Sequence, residues 1–249
     1  MEYNPFSLKD KNILVTGASS GIGRAIAVEC SRLGANVTIT ARNVYKLQET
    51  LSLIQGDSHR VISADISTSE GIDSVVGEVP VLSGVVHCAG IGDRTLGKMI
   101  REKDISRVMN INFNASVLLQ RLLLKKKKIE NKASVVFIAS RAPFAPTIGN
   151  SLYSASKAAL IAYAKVLSLE LASLGIRVNC VCPAMVWTEL VEKDADMTGV
   201  DYRELEKSYP LKRYGKPEDI AYLVDYLLAD CSEWMTGSCI DITGGAVNL

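Results

Sequence analysis

Short apolar runs alternate with helix-forming segments along almost the whole chain, and this alternation is the feature that most restricts its fold. Most of the runs are apolar at nearly every position, as expected of strands that are buried on both faces. Two of the helical segments end in a glycine at the expected capping position, Gly34 and Gly175. The pattern predicts a doubly wound α/β fold with a seven-stranded, mainly parallel sheet and helices on both faces. The predicted strands cover residues 12–16, 36–40, 60–64, 84–88, 134–139, 176–181 and 238–242.

The chain has 249 residues, of which 48% are hydrophobic, so it is long enough to bury a large core. It contains no linker rich in proline and glycine, and we predict a single Rossmann-type domain over residues 1–249. Residues 184–212 form a long stretch between a strand end and the next helical pattern. Because the carboxyl ends of strands form the ligand crevice in open α/β sheets, this stretch is predicted to be a lid or substrate loop.

Composition gives little support to several other classes of protein. The net charge of +1 is no global reason to expect binding to nucleic acid or to a membrane surface. No apolar stretch is long enough for a transmembrane helix, and the first residues lack the apolar core of a signal peptide. The six cysteines contain no C-x-x-C pair and there are only two histidines, so no metal site is expected. Cys180 and Cys182 are too far apart along an extended run for a disulfide, and the cysteines indicate a reducing compartment, the cytoplasm.

A glycine-rich segment, "TGASSGIGRAIA" at residues 16–27, follows the first predicted strand. Glycines at a strand-to-helix junction permit a tight turn, a close approach of the backbone to phosphate and close helix–strand packing. The helix that follows would direct free N–H groups and the positive end of its dipole toward the phosphate. We therefore predict a dinucleotide-binding loop rather than an ordinary glycine-rich turn, formed by Gly17, Ser19, Ser20, Gly21, Ile22 and Gly23.

The ends of the second and third predicted strands bear on the choice between NAD and NADP. A carboxylate after the second strand would bind the adenosine ribose of NAD, but the residues there are Ala41 and Arg42. Arg42 can pair with the 2′-phosphate of NADP, so NADP(H) is favoured over NAD(H); the alternative is a solvated arginine that opens the next helix. Asp65, which precedes Ile66 after the third strand, is either an adenine ligand or a helix-capping or turn residue.

Residues 153–157 read "YSASK", which places Tyr153 and Lys157 one helical turn apart on one face. An ammonium group beside a phenol favours the ionised phenol, and such a phenol can exchange a proton near neutral pH. Taken alone the pattern is weak, because many surface helices carry the same spacing by chance.

The order and spacing of these motifs resemble the short-chain dehydrogenase/reductase family over nearly the whole chain. The resemblance rests on "TGASSGIG", "YSASKAAL", "IRVNCVCP", "LKRYGKPEDIA" and "TGSCIDITGG". It implies a catalytic tetrad in which Ser140 lies 13 residues before Tyr153, the usual separation in the family. The implied tetrad is Asn112, Ser140, Tyr153 and Lys157. The further cofactor contacts that the resemblance implies are Ile66, Ala89, Gly90, Pro183, Val186 and Thr188, together with Tyr153 and Lys157.

The family's mechanism assigns a role to each member of the tetrad. Tyr153 would donate a proton to a carbonyl oxygen that gains negative charge as hydride reaches its carbon, and Ser140 would hydrogen-bond the same oxygen. Lys157 would favour the ionised form of Tyr153 and hold the nicotinamide ribose. Asn112 would hold a water molecule that links Lys157 to solvent.

Two motifs depart from the family pattern. The residues after the fourth strand read "HCAG" in place of "NNAG", and we interpret His87 as a structural substitute rather than a catalyst. The residues after the sixth strand are Pro183 and Ala184 in place of "PG". Because alanine does not freely adopt a positive φ, the loop on the nicotinamide side is expected to differ slightly.

The resemblance implies an NADPH-dependent reductase of ketones, similar to the 3-oxoacyl-carrier-protein reductases. The alternatives are an alcohol, sugar or polyol dehydrogenase of the same family and, more remotely, a catalytically silent NADP-binding regulator. Substrate contacts are expected from residues 184–212 and from Arg141, Phe144 and Trp187.

Two kinds of protein partner are expected. Residues 115–124 and 158–172 form helical patterns that are too apolar for the surface of a monomer, and related enzymes pair these helices, so a homotetramer is expected. Carrier proteins are acidic, and related reductases often carry a basic residue where this chain has Leu174. The lysines at 125–128, which end a helical pattern, either dock an acyl carrier protein or only complement the helix dipole.

Overall fold

The computed structural model describes residues 3–189, 191–192, 195 and 199–246. Seven strands of the described residues form one sheet in the order β3-β2-β1-β4-β5-β6-β7, and every neighbouring pair is parallel. The predicted α/β fold class is confirmed. The strands are β1 Asn12–Thr16, β2 Asn36–Ala41, β3 Arg60–Ser63, β4 Leu82–His87, β5 Ile129–Ile138, β6 Arg177–Pro183 and β7 Cys239–Ile242.

Helices connect the strands and cover both faces of the sheet. The α-helices are α1 Gly21–Arg32, α2 Val44–Leu53, α3 Ser69–Glu78, α4 Glu102–Met109, α5 Ala115–Lys125, α6 Ser151–Leu171, α7 Tyr202–Leu205 and α8 Pro217–Leu228. A π-helical segment, Asn110–Asn114, joins α4 to α5 without a break. Short 3₁₀ turns occupy Gly97–Met99, Ala172–Leu174, Glu206–Ser208 and Asp230–Ser232. Among the described residues, no helix is long and apolar enough to cross a membrane.

The central strands are apolar along their whole length because each face of the sheet is covered by helices. In β5, Val135 and Phe137 point into the cluster that contains buried residues of α3, α5 and α6. The alternate residues Val136 and Ile138 point into the opposite cluster, with buried residues of α1 and α8. Successive side chains of a strand face opposite sides, so a strand buried on both sides must be apolar at every position.

The strand order reverses between β1 and β4, which are neighbours in the sheet but far apart in sequence. From β1 the chain proceeds outward to β2 and β3, whereas β4 begins the other half of the sheet. The loops after these two strands therefore diverge at their carboxyl ends and leave a crevice between them. The glycine-rich loop follows β1, and the "HCAG" residues follow β4.

The turn between α5 and β5 differs from its predicted structure. Strand β5 begins at Ile129, not at residue 134, and its first residues are largely exposed. Helix α5 ends at Lys125, and Lys127 adopts a left-handed φ of 54°. These lysines precede β5, so they lie at the amino edge of the parallel sheet, opposite the crevice. The expectation that Lys125–Lys128 could dock a carrier beside the chain's own active-site mouth is therefore wrong.

Part of the predicted substrate loop, residues 184–212, lies outside the described residues, at positions 190, 193–194 and 196–198. The described part contains α7. Aromatic side chains of this part pack with Tyr214, just beyond the loop, in a cluster beside the carboxyl end of β6. Tyr214 is at the centre of the cluster, with ring centroids 4.8 Å from Tyr209 and 5.4 Å from Trp187. This packing holds the described part of the loop against the sheet.

Candidate active site

The glycine-rich loop brings β1, α1 and the end of β4 closer together than side chains would allow. Gly17 has a φ of +68°, and a Cβ atom there would lie 2.8 Å from the Cα of Ala89. A Cβ at Gly23 would lie 2.4 Å from the carbonyl oxygen of Gly17. Both distances are too short for real carbon contacts, so glycine is required for close packing at this crossing.

The amino end of α1 has the features of a diphosphate site. Its N-cap residue, Ser20, makes no side-chain cap hydrogen bond, and the first turn carries no acidic residue. Arg24 Nη2 donates to the carbonyl oxygen of Ser19 over 2.6 Å, and Arg24 Nε donates to Thr50 Oγ1 over 3.0 Å, which fixes the loop. Uncapped N–H groups and the positive helix end are suited to a dinucleotide diphosphate.

On the adenosine side, Arg42 and Asp65 both line the cleft at the carboxyl ends of β2 and β3. Arg42 is exposed and precedes Asn43, which caps α2 in its place. Asp65 Oδ1 accepts hydrogen bonds from the Ser67 hydroxyl over 2.7 Å and from the Ser67 N–H over 3.0 Å. The hydroxyl bond is the main cause that lowers the pKa of Asp65, and the charge of Arg42 adds to it. Asp65 is thus a turn residue, because Thr68 caps α3, and its adenine contact stays a prediction.

Thr16, which sequence reasoning missed, positions the backbone after β4. Its Oγ1 accepts the N–H of Cys88 over 3.0 Å and that of Ala89 over 3.2 Å, and donates to the carbonyl oxygen of Val86. Thr16 is fully buried. Its hydroxyl thereby ties the glycine-rich loop to the residues that face it across the crevice. A polar residue at the last position of an apolar strand, directly before the glycine motif, was the available signal.

His87 lies in the core and not in the cleft. Its ring stacks on Phe137 with centroids 4.6 Å apart, and its Nε2 is 2.9 Å from Gln120 Oε1. Burial lowers the pKa of His87 to about 4, so the ring is neutral near pH 7 and Nε2–H donates to Gln120. These contacts agree with the interpretation of His87 as a structural residue. Ala184 stands where the family pattern has the glycine of "PG". It causes no backbone strain, because it is not among the described residues with positive φ.

Helix α6 and the end of β5 bring three of the tetrad residues together. Lys157 is 4% exposed, and its Nζ lies 5.8 Å from the centroid of the Tyr153 ring. Lys157 Nζ donates to the carbonyl oxygen of Ile138 over 2.8 Å, which fixes the ammonium beside the end of β5. Ser140 follows β5, and its Oγ accepts the N–H of Ala142 over 3.1 Å. Because that bond uses a lone pair, the hydroxyl hydrogen of Ser140 is available to another acceptor.

Asn112 lies behind the cleft, fully buried within the π-helical segment. Its Nδ2 donates to the carbonyl oxygen of Ile91 and to Ser156 Oγ, each over 3.0 Å, while Oδ1 accepts the N–H of Ile91 over 2.8 Å. A Cβ at Gly90 would lie 3.2 Å from Asn112 Oδ1 and 3.4 Å from Lys157 Nζ. The two groups therefore border the same small space beside Gly90. A π-helical turn often marks a functional position, but a helical periodicity does not predict it.

One cleft of about 780 Å³ runs along the carboxyl ends of the strands and joins these parts. All sixteen predicted cofactor residues line it, as does Ser140, whereas Asn112 does not. At one wall, Thr188 Cγ2 lies 3.1 Å from the position of a Cβ at Gly21, so the loop after β6 approaches the glycine-rich loop directly. The roles of these residues remain predictions, but their convergence gives a site that fits an extended dinucleotide.

The substrate half of the cleft agrees only partly with prediction. Arg141 lines the cleft, but its Nη1 donates to Asp241 Oδ2 over 2.7 Å, and its guanidinium lies 5.1 Å from the centroid of Phe144. Trp187 does not line the cleft; its Nε1 donates to Glu206 over 2.7 Å within the aromatic cluster. The predicted substrate loop contributes Met185, Val191 and Tyr209 to the lining of this half. Ala145 and Thr147 also line it, and no signal in the sequence pointed to them.

Comparisons with known proteins give relatives that match this chain over nearly its whole length. A family model described as enoyl-(acyl carrier protein) reductase matches residues 17–247. The 3-oxoacyl-[acyl-carrier-protein] reductase FabG of Rickettsia felis is 33% identical over 238 residues, which are 96% of this chain and 97% of that protein. The L-xylulose reductase of Caenorhabditis elegans is 31% identical over 248 residues, 98% of each protein. A variant of the actinorhodin polyketide ketoreductase, solved with NADPH, has a TM-score of 0.88 at 27% identity and covers 96% of this chain and 98% of its own.

These likenesses agree with the geometry of the cleft. The match extends through the glycine-rich loop, the tetrad positions and the carboxyl-terminal strand, so the predicted resemblance is confirmed. The chain belongs to the short-chain dehydrogenase/reductase family and is an NAD(P)-dependent oxidoreductase.

Proposed function

We propose that this protein reduces the ketone of a 3-oxoacyl thioester with NADPH. The observation that carries the proposal is the convergence of Ser140, Tyr153 and Lys157 in a cleft that continues to the glycine-rich loop and Arg42. Likeness to a 3-oxoacyl-[acyl-carrier-protein] reductase over 96% of the chain supports the thioester substrate. Arg42, in a position without an accompanying acidic residue, supports the phosphorylated cofactor.

The cleft residues fit the cofactor, and each has a defined task. The bound nicotinamide would supply a hydride to the carbonyl carbon. Tyr153 would give the proton of its Oη to the carbonyl oxygen, as a general acid. Ser140 would donate its hydroxyl hydrogen to the same oxygen. That hydrogen is free to do so, because the bond from the N–H of Ala142 uses only a lone pair of Ser140 Oγ. Two donors on the oxygen that gains charge would stabilise the transition state more than the ground state.

Lys157 and Asn112 would support the proton transfer from the side of Tyr153 that faces the protein interior. The buried ammonium of Lys157 uses one hydrogen on Ile138 and keeps two for other acceptors. Its charge lies 5.8 Å from the centroid of the Tyr153 ring, where it would offset the negative charge that develops as the proton moves to the carbonyl oxygen. Asn112 Oδ1 borders the same space as Lys157 Nζ, so a water molecule there could return a proton to the site.

The alternative within the family is reduction or oxidation of a sugar, a polyol or another alcohol. One observation favours it: the L-xylulose reductase relative is 31% identical over the same span. A catalytically silent NADP-binding regulator is the remaining alternative, and it has no support from the tetrad, since all four residues are present.

A substrate panel with both cofactors tests the proposal. Purified protein is mixed with NADPH or NADH and with a 3-oxoacyl thioester, a trans-2-enoyl thioester, L-xylulose or a simple ketone, and cofactor oxidation is followed by absorbance. We expect the highest kcat/KM for the 3-oxoacyl thioester with NADPH, and a kcat lower by about 10²- to 10⁴-fold in Tyr153→Phe. Preference for L-xylulose would favour the sugar alternative, and preference for the enoyl thioester would exclude ketone reduction as the main activity. If neither NADPH nor NADH is oxidised with any of these substrates, the catalytically silent regulator would be the remaining alternative.

A further inference from the structure

Strands β6 and β7 place three cysteines on the side of the sheet that α6 covers. Cys180 and Cys239 are register partners on these neighbouring strands, and Cys182 lies two residues further along β6. All three belong to or pack against the same core cluster. Cys180 and Cys182 are fully buried, whereas Cys239 is half-buried on the edge strand. From the sequence, only the pair of Cys180 and Cys182 could be assessed for a disulfide. The pairing of Cys180 with Cys239 on the neighbouring strand depends on the register of the sheet.

The spacing of Cys180 and Cys239 is compatible with a disulfide. Neighbouring strands lie about 4.8 Å apart, which is within the usual Cα separation of about 4.4–6.8 Å for bridged cysteines. Both side chains lie on the side of the sheet that α6 covers, so the two thiols face the same core cluster. A bridge between directly paired parallel strands would be somewhat strained, and strained disulfides are the ones that reductants open most readily.

The two thiols differ in reactivity. The adjacent Cys180 thiol lowers the pKa of Cys239, and the charge of Lys165 also lowers it, against the opposing effects of burial and Asp241. The adjacent Cys239 thiol, together with burial, raises the pKa of Cys180 and keeps it protonated. Burial raises the pKa of Cys88 to about 12, which makes it unreactive. Cys239 is therefore suited to react first with an oxidant, and Cys180 is placed to react with the product.

We propose that Cys239 and Cys180 form an oxidisable dithiol site, which a hydroperoxide converts into an intramolecular disulfide that thiol reductants reopen. In the first step the thiolate sulfur of Cys239 attacks a peroxide oxygen, the O–O bond breaks, and Cys239 becomes a sulfenic acid as hydroxide or alkoxide leaves. In the second step the sulfur of Cys180 attacks Cys239 Sγ. The S–O bond breaks, the proton of Cys180 leaves with the hydroxyl as water, and the peroxide has accepted two electrons in all.

The position of the site connects it to catalysis. Cys182, two residues beyond Cys180, lies near the carboxyl end of β6, beside the end of β5. Its register partner Asp241 forms the ion pair with Arg141, the residue that follows Ser140. A change in the spacing of β6 and β7 would therefore reach the backbone beside Ser140 through the Arg141–Asp241 ion pair. On the proposed function, the disulfide form should turn over more slowly, because this ion pair lies directly beside Ser140.

Thiol counting and peptide mapping test the site without any need for a substrate. The fully reduced protein, with six free cysteines, is treated with hydrogen peroxide at neutral pH and analysed by intact mass. We expect four free thiols, a mass loss of two hydrogen atoms, a peptide linking Cys180 to Cys239, and full reversal by dithiothreitol. An unlinked product, an intermolecular disulfide or a bridge between other cysteines would overturn the proposal.

Single substitutions separate the roles of the two sulfurs. In Cys180→Ala, dimedone should trap a sulfenic acid on Cys239, and in Cys239→Ala the peroxide-dependent loss of thiols at this site should disappear. Cys231→Ala is the matched control, because Cys231 is the exposed cysteine and lies outside the cluster; it should form the disulfide as the wild type does. Oxidation of Cys239→Ala at the wild-type rate and extent would contradict the assignment. Unchanged kcat in the mapped disulfide form would overturn the connection to Ser140, independently of the thiol count.

Discussion

Substitution of Arg42 by alanine should weaken the binding of NADPH far more than the binding of NADH. Arg42 is exposed at the carboxyl end of β2, directly before the N-cap of α2, and lines the cleft with Asp65. A charge-assisted hydrogen bond to a phosphate contributes about 1.5–3 kcal/mol. Loss of this contribution should raise the Kd of NADPH by about 10- to 100-fold, because about 1.4 kcal/mol corresponds to a factor of ten.

NADH lacks the 2′-phosphate, so its Kd should change by less than about 3-fold in the same variant, since no charge-assisted bond is lost. Added salt should weaken NADPH binding to the wild type more than binding to Arg42→Ala, because an exposed ion pair is screened. Titration calorimetry measures both constants at two salt concentrations. Arg60→Ala is the matched control: it removes the same charge at the start of β3, at the opposite edge of the sheet. Equal weakening of NADPH and NADH by Arg42→Ala would refute the reasoning, as would an equal effect of Arg60→Ala.

Three further predictions concern catalysis, assembly and pH. Tyr153→Phe should lower kcat by about 10²- to 10⁴-fold with an unchanged Kd for NADPH, and a variant that keeps more than about a tenth of wild-type kcat would contradict the role of general acid. Helix α6 exposes Val166 at 56% and Leu169 at 79%, so the protein should sediment as a homotetramer at micromolar concentration; a monomer alone would contradict this. Burial raises the pKa of Asp225 to about 7, so the stability that depends on its proton is complete below about pH 4 and is lost as the pH rises toward 7. The free energy of unfolding of Asp225→Asn, measured in urea relative to wild type, should therefore rise by about 2 to 3 kcal/mol between about pH 5 and pH 8. A difference between the two proteins that does not change with pH would contradict this prediction.

The sequence was sufficient for the fold because burial on two faces leaves a clear pattern. Each central strand must be apolar at successive positions, and each crossing between parallel strands must contain a helix. The first residues of β5 escaped prediction for the same reason. The sequence Glu130–Lys132 is polar and exposed, so nothing in its composition distinguishes this strand extension from a loop.

The positions of the candidate catalytic residues were also largely predictable, because their relations are local. Tyr153 and Lys157 lie on one turn of α6, and Ser140 follows directly from the end of a buried strand. The orientation of Asn112 was not predictable. It depends on the π-helical segment and on hydrogen bonds to Ile91 and Ser156, which are distant in sequence.

The placement of the lysines at 125–128 shows how local evidence can mislead about distance. Their charge and their position at the end of a helix were predicted correctly, but a helix of eleven residues carries the chain about 16 Å away from Ala115, where the helix begins. In a parallel sheet every helix returns the chain to the amino edge. A charge at the end of a crossover helix is therefore remote from the site that its beginning helps to form.

Contacts across strands define the limit of inference from this sequence. The pairing of Cys180 with Cys239, and of Cys182 with Asp241, is set by the register of β6 and β7, whose paired residues are 59 positions apart. A slip of one residue would move every side chain of a strand to the other face, so a cross-strand pair is a property of the assembled sheet. A pair of residues within one helical turn, such as Tyr153 and Lys157, can be predicted from its spacing in the sequence. Chemistry between strands, such as the dithiol site and the Arg141–Asp241 ion pair, becomes visible only once the register is known.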